Sequence, residues 1–369
     1  MDGVSFHISC PVNLYSVARV VTVRERDSST SRLVPPAQNP QEARVWPIPD
    51  LKPPKVTVVS PGHGGVPRDT WKTQLAAEKT IERLWVKGLL CDRNRNDHER
   101  NMQANVDSGM RRVTNQAELC QYSIHISITS EIPVGKGMAS STADIASSVY
   151  ALLAAAGKQP IIIDPVFVAE IALSIEPTDG SLFPGIVLFD HREGKMLETL
   201  GEAPQIDIVI LDFGGGVDTI EFNRHYRRDV LKKHEDTIRR ALELATHGIK
   251  NHDLKALGEA ATLSAKVNQE ILYKPYLDHV IAFGSEVGAL GVNVAHSGSV
   301  VGLLIDRRGT DATAVAGLVR KRFDARCSVI VTSLVGGGPS YLPGYEPGPV
   351  SSSGKRDSSH NKGLGAELQ

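Results

Sequence analysis

A chain of 369 residues, 41% hydrophobic and 22% charged, is long enough to bury a core in each of two domains. Its 41 basic and 42 acidic residues give a formal net charge of −1, which excludes a global field that would draw it to nucleic acid or an anionic membrane; an anionic ligand has to be held by a local site. Cys10, Cys91, Cys120 and Cys327 show neither paired nor Cys/His spacing, which argues against a disulfide framework or a zinc site and fits reduced thiols in a cytoplasm. Residues 1–15 lack the basic start and apolar stretch of a signal peptide, and no run reaches the roughly 18 apolar residues of a membrane span.

In chain order, residues 24–55 and 93–112 are polar, charged and without apolar periodicity, and read as surface excursions. Ile124, Ile126 and Ile128 alternate with His125, Ser127 and Thr129, the period of a strand buried on one face. Over residues 140–156 the period becomes helical, with Ile145, Val149, Leu152, Leu153 and Ala156 on one side and Gly157 as the stop. A second helix is expected over 164–175, capped by Asp164 with Pro165 at its first position. A strand over 186–190 turns at Gly194, and the turn-rich Gly201-Glu-Ala-Pro204 marks a domain boundary near 198–205. Beyond it come strand 206–213, helices over 235–246 and on to 288, strands 292–295 and 300–305, helix 311–323 and strand 328–334. Leaving aside the extra helices, that is a ferredoxin-like β-α-β-β-α-β order. Residues 343–369, with their Ser-Ser-Ser-Gly run, read as a disordered tail.

The most informative segment is Pro133-Val134-Gly135-Lys136-Gly137-Met138-Ala139-Ser140-Ser141-Thr142, between the alternating strand and the amphipathic helix. Its glycines allow close backbone approach and positive φ, and the helix behind it points unsatisfied N–H groups at whatever fills the loop. That suits phosphate. Ser140 or Ser141 can cap the helix, with Asp144 completing a capping box, and a hydroxyl there can also reach a phosphate-bound magnesium. The Walker A spacing is not met; an ordinary capped helix after a structural turn is the plainer alternative.

Two further segments carry chemistry. Glu176-Pro177-Thr178-Asp179-Gly180 sets two carboxylates in a stiff turn, one able to bind magnesium and the other to accept a hydroxyl proton, the roles that phosphoryl transfer needs; it is otherwise a simple proline–aspartate turn. Gly291 to Gly302, with His296, Ser297, Gly298 and Ser299 at its centre, joins two apolar strands through a small-residue loop or tight hairpin. His296 taken alone reads as a structural histidine. The runs Gly214 to Gly216 and Gly336 to Gly338 read as turns.

The loop at 133–142 resembles the P-x-G-x-G-[LM]-[GAS]-S-S phosphate loop of the GHMP kinases, the superfamily of galactokinase, homoserine kinase and mevalonate kinase, at every fixed position. Longer strings, from Ser9-Cys10-Pro11-Val12-Asn13 through Glu176-Pro-Thr-Asp179 to Gly291-Val-Asn-Val-Ala-His296, resemble the L-threonine kinases within it. The resemblance implies an α+β, two-domain fold: a ribosomal-protein-S5-like domain over 1–200 and a ferredoxin-like domain over 204–342. It also implies ATP and Mg2+ as co-substrate and metal. Nucleotide phosphates would lie on Pro133, Gly135, Lys136, Gly137, Met138, Ala139, Ser140, Ser141 and Thr142, covered by Ser297, Gly298 and Ser299. Ser141 and Glu176 would hold the metal, with Glu170 as the reserve ligand, and Asp179 would be the catalytic base or orienting carboxylate.

The implied activity is phosphorylation of the L-threonine hydroxyl for the aminopropanol linker of cobalamin, by a cytoplasmic monomer or homodimer without nucleic-acid or membrane partners. The alternatives are another small-alcohol kinase such as one for homoserine, and a non-catalytic nucleotide-binding relative. The family's Pro-x-x-Cys-Gly-Glu-type first motif is not found ahead of Ser9, so a late-assigned start or an impaired copy is expected.

Overall fold

The computed structural model describes residues 7–24, 53–60, 69–86, 122–156, 163–217, 219–224 and 227–339. Most of both expected excursions and the whole expected tail at 343–369 lie outside them.

Three sheets organise these residues. In the first, strands β2 (Ser16–Arg24) and β4 (Tyr122–Ser130) run antiparallel while β3 (Lys55–Val59) pairs parallel with β4. The isoleucine alternation does what its period requires: Ile124, Ile126 and Ile128 are buried, and His125, Ser127 and Thr129 face out. Helix α1 (Trp71–Val86) covers the buried face with Ala77 and Ile81, and Leu152 of helix α2 (Ser140–Ala155) joins them. Each fully enclosed isoleucine here contributes about 1.5–3 kcal/mol.

A second, smaller sheet has β5 (Ile186–Phe189) at its centre, flanked by β1 (His7–Ile8) and β6 (Leu197–Gly201). Helix α3 (Pro165–Leu173) starts where the Asp164–Pro165 pair predicts, with the Asp164 carboxylate accepting the Val166 N–H at 2.9 Å. Its Val168, Ile171 and Ala172 pack with Ile145 and Val149 of α2 and Val187 and Phe189 of β5, fixing the turn at 176–181 against the start of α2.

The third sheet holds β7 (Ile206–Asp212), β8 (Gly291–Val294), β9 (Val301–Asp306) and β10 (Ser328–Ser333) in the order β10-β7-β9-β8, all antiparallel. Numbered within the unit this is 4-1-3-2, the ferredoxin-like arrangement that the sequence order implies. Between β7 and β8 lie five helices: α4 (Thr219–Arg224), α5 (Arg228–Lys233), α6 (Glu235–Lys250), α7 (Leu254–Ile271) and α8 (Leu277–Glu286). Helix α9 (Ala312–Phe323) links β9 to β10, capped by the Asp311 carboxylate on the Thr313 N–H at 2.8 Å.

Strand β7 is buried on both faces. Val209 and Leu211 join α8 and α9, whereas Ile206, Ile208 and Ile210 meet Ile186 and Leu188 of the small sheet. After β10 the chain returns to that sheet: Val335 N–H donates to Pro11 O at 3.0 Å and Gly337 N–H to Gly185 O at 2.9 Å. The glycine loop between β8 and β9 lies against the loop that precedes α2, Gly298 facing Lys136 and Gly137.

Candidate active site

The loop before α2 takes the conformation its glycines allow, with φ of +72° at Gly135 and +75° at Gly137. The capping expected of Ser140 or Ser141 is not found. The N-cap is Ala139, itself left-handed at φ 57°, and no side chain caps the helix. Left-handed Ala139 starts the helix at Ser140, so Ser141 sits inside the first turn, and its hydroxyl is taken by Glu176 of the acidic turn. Asp144 instead accepts the Ser16 hydroxyl at 2.6 Å. The helix end therefore presents backbone N–H groups and the positive end of its dipole without a side-chain plug, the condition for holding an anion.

The Ser141 hydroxyl donates a short hydrogen bond to Glu176 Oε1. Glu176 is buried, and its Oε2 lies 2.5 Å from Lys72 Nζ of α1. One residue along, Thr142 Oγ1 accepts the Thr178 hydroxyl at 3.1 Å and the Asp179 N–H at 3.3 Å. The structure thus brings Ser141, Glu176 and Asp179 to one helix end. Glu170 goes elsewhere, into an exposed ion pair with Arg83 at 2.9 Å.

Asp179 caps the short turn Gly180–Leu182, its Oδ1 accepting the Ser181 N–H at 2.7 Å. Desolvation pushes its carboxyl above the ordinary aspartate value, and the bonds from Ser181 only partly offset this. Beside it is Cys10, open to solvent on one side, with Asn293 Nδ2 donating to its Sγ at 3.6 Å. Enough protein surrounds the sulfur for desolvation, aided by the Asp179 charge, to push the thiol up to about 12, so Cys10 stays a neutral thiol beside Asp179.

The second glycine loop presses on the first. A Cβ at Gly298 would lie 1.9 Å from Lys136 O, and one at Gly137 only 2.7 Å from Gly298 N, so neither position admits a side chain. Ser299 Oγ, enclosed in this loop, has no partner among the described residues, and Ser297 precedes the contact. The His296 ring packs 4.1 Å from His7 and 5.3 Å from Phe222, and His7 stacks 3.7 Å from His191. Desolvation, with His191, Lys274 and Arg192 nearby, lowers His296 to about 3 and leaves it a neutral packing group.

Several contributors were not legible as functional. Lys136 Nζ pairs with Asp212 at 2.8 Å and donates to Gly215 O at 2.5 Å, while Val217 N–H donates to Gly135 O at 2.9 Å, so the run Gly214 to Gly216 braces the glycine loop at 133–142. The run Gly336 to Gly338 lies over the acidic turn, with Gly338 N–H donating to Ser181 O at 2.8 Å. An acid at a strand end followed by three glycines was the available signal for the first; nothing local marked the second, or Lys72.

Ser141 and Glu176 offer hard oxygen donors suited to Mg2+, and among the described residues no three His, Cys, Asp or Glu side chains converge on a metal position. That donor set fits an ion that completes its shell with phosphate and water.

Two glycine loops in contact, an uncapped helix end and a paired serine and glutamate define a phosphoryl-transfer architecture. Residues 106–183 match the family model for the GHMP kinases N terminal domain and residues 245–325 that for the GHMP kinases C terminal. The chain is 37% identical over 199 residues to an L-threonine kinase of Citrobacter freundii, covering 54% of this chain and 68% of that one. It is 36% identical over 199 residues to an L-threonine kinase of Salmonella typhimurium, covering 54% and 65%. The chain belongs to the GHMP kinase family, and it is a kinase.

In fold it is similar to a homoserine kinase from Cytophaga hutchinsonii, with a TM-score of 0.55 at 17% identity over 78% of this chain and 84% of that one. It is likewise similar to the mevalonate kinase of L. major, with a TM-score of 0.55 at 13% identity over 91% of both chains. Among the described residues no helix is long and apolar enough to cross a membrane.

Proposed function

We propose that the protein transfers the terminal phosphoryl group of ATP to the side-chain hydroxyl of L-threonine, giving ADP and O-phospho-L-threonine for the aminopropanol linker of cobalamin. The observation that carries this reading is the unplugged start of α2, with Glu176 and Asp179 each one hydrogen bond from its first turn. The 36–37% identity to L-threonine kinases supports the choice of acceptor. The unpaired cysteine spacing supports a cytoplasmic setting.

In this reading residues 1–200 and 204–342 are the two domains, each giving one glycine loop to the site. The backbone of Gly135 to Ser141 cradles the phosphates, and Ser297 to Ser299 cover them from the other side. Ser141 and Glu176 hold Mg2+, which when bound neutralises charge on the phosphoryl oxygens. Asp179 aligns the acceptor hydroxyl and takes its proton as the oxygen bonds to the γ-phosphorus and the bond to the bridging oxygen of ADP breaks. A carboxyl raised by desolvation is a better proton acceptor near neutral pH than an ordinary aspartate.

The test is a coupled ADP-release assay with threonine, serine and homoserine. Threonine is expected to give the highest kcat/KM. A preference for homoserine transfers the assignment to another small-alcohol kinase, and nucleotide binding without ADP release from any acceptor rejects catalysis.

A further inference from the structure

Lys72 is the second residue of α1 and lies 104 positions from Glu176 in sequence, yet its ammonium reaches Glu176 Oε2 at 2.5 Å. The pair is well enclosed, with 19% of the Lys72 and 6% of the Glu176 side chain exposed. The other carboxylate oxygen takes the Ser141 hydroxyl. A carboxylate this buried is costly without a counter-charge, and removing one partner of such a pair strands the other. Lysine also differs from arginine in being a compact charge on a four-carbon stem that can change partner without surrendering a fixed bidentate geometry.

We infer that Lys72 is the resident counter-cation of the transfer site: it holds Glu176 charged and aimed while the site is empty, and moves onto the phosphoryl oxygens when metal and nucleotide claim that carboxylate. The inference rests on the proposed kinase reading and adds to it a residue that first orients Glu176 and then contacts the phosphoryl group. Three features carry it. Lys72 binds the carboxylate oxygen that Ser141 leaves open. Its head lies 5.8 Å from the ring of half-exposed Trp71, on a wall that reaches solvent. The uncapped α2 N-terminus adjoins the same carboxylate, so phosphates placed there come within a side chain's swing of the ammonium. Exchange of one cation for another at Glu176 keeps the buried charge paired throughout, and it makes metal binding depend on nucleotide.

The test uses Lys72→Met and Lys72→Arg in the full chain, with Mn2+ as a paramagnetic probe of the metal position. Without nucleotide, wild-type protein is expected to bind Mn2+ weakly and Lys72→Met at least about tenfold more tightly, because the competing ammonium is gone. With nucleotide and acceptor, Lys72→Met is expected to lose about a hundredfold in kcat with a smaller change in nucleotide KM, and Lys72→Arg to recover part of that loss. A purely structural lysine would not raise Mn2+ affinity on removal. Unchanged or weaker Mn2+ binding by a folded Lys72→Met protein, beside an active wild type, overturns the inference while leaving the kinase reading intact. A wild type that neither binds nucleotide nor releases ADP rejects the kinase reading instead. Should Lys72→Met fail to fold, Lys72→Gln, which can still donate to Glu176 but carries no charge, is measured in its place with the same expected gain in Mn2+ affinity.

Discussion

Gly137 and Gly298 meet backbone against backbone, each occupying the space that the other's Cβ would need. Gly298→Ala forces the two loops apart or deforms the loop at 133–142, since the obstructing atoms are the Lys136 carbonyl and the Gly137 nitrogen rather than a side-chain tip. Overpacking of this kind costs about 1–3 kcal/mol. Nucleotide affinity, measured by calorimetry, should fall at least about tenfold, because the displaced groups are the ones proposed to face phosphate. Gly309→Ala, where a Cβ meets nothing within 4 Å, is the control and should change neither stability nor binding.

Asp179→Asn separates chemistry from binding. The amide oxygen can still accept the Ser181 N–H, so the turn persists, but no proton can be taken up. Turnover should drop by about 10²–10⁴ with nucleotide affinity little changed. The folded-state value of Asp179 is raised, so in acid the native state gains stability by binding this proton, and above that value it carries a desolvated charge. The asparagine protein should therefore melt higher than wild type at neutral pH, with the advantage fading as pH falls. The wild-type kcat/KM should decline toward acid as the same group is protonated. Unchanged turnover rejects the role.

The parts of the fold with strong local contrast were legible. The isoleucines of β4, the Asp164–Pro165 start of α3 and the glycine spacing at 133–142 each carry their structural reason within a few residues. Helix α1 was not, because its buried face is built from Thr73, Ala76, Ala77 and Thr80 as well as Ile81, Leu84 and Trp85, too little apolar contrast to mark a period. Strand β6 escaped notice since Leu197, Glu198 and Thr199 are all exposed. At the site, the glycine loops and both carboxylates could be named from the chain, whereas Lys72, Asp212 and the two bracing glycine runs act through partners distant in sequence. The wrong capping expectation has the same root: Ser141 had a cap available locally and a buried glutamate available only in three dimensions.

The Lys136–Asp212 pair ties the glycine loop at 133–142 to the end of β7, with both side chains about one-sixth exposed. Lys136→Met and Asp212→Asn, singly and together, should show a coupling of about 1–2 kcal/mol in a double-mutant cycle of denaturant unfolding, above the range of exposed pairs. Each single change should also weaken nucleotide binding, since Lys136 reaches Gly215 O as well and its loss frees both loops. Additive effects in unfolding would show that the pair does not act as a tie.

Lys274 is the most enclosed cation among the described residues, and desolvation lowers it from 10.5 to about 8. Its Nζ donates to Asn268 Oδ1 at 2.5 Å and to Leu272 O at 3.1 Å, and Asn268 Nδ2 donates to His296 O at 3.2 Å, so it anchors the covering loop through one intermediary. A neutral amine keeps two hydrogens, enough for both acceptors. Between about pH 8 and 10.5 the unfolded chain holds a proton on this group that the folded protein has released, so its contribution to stability rises with pH across that window and is flat below it. Lys274→Met removes the slope and leaves Asn268 Oδ1 without its donor, a loss of about 1–3 kcal/mol. Unfolding of the two proteins at pH 7.5, 8.5 and 9.5 should therefore show the difference, wild type minus variant, shift in favour of wild type as pH rises, because other groups titrating in the range cancel in the difference. A shift the other way would mean the lysine is charged and satisfied in the fold.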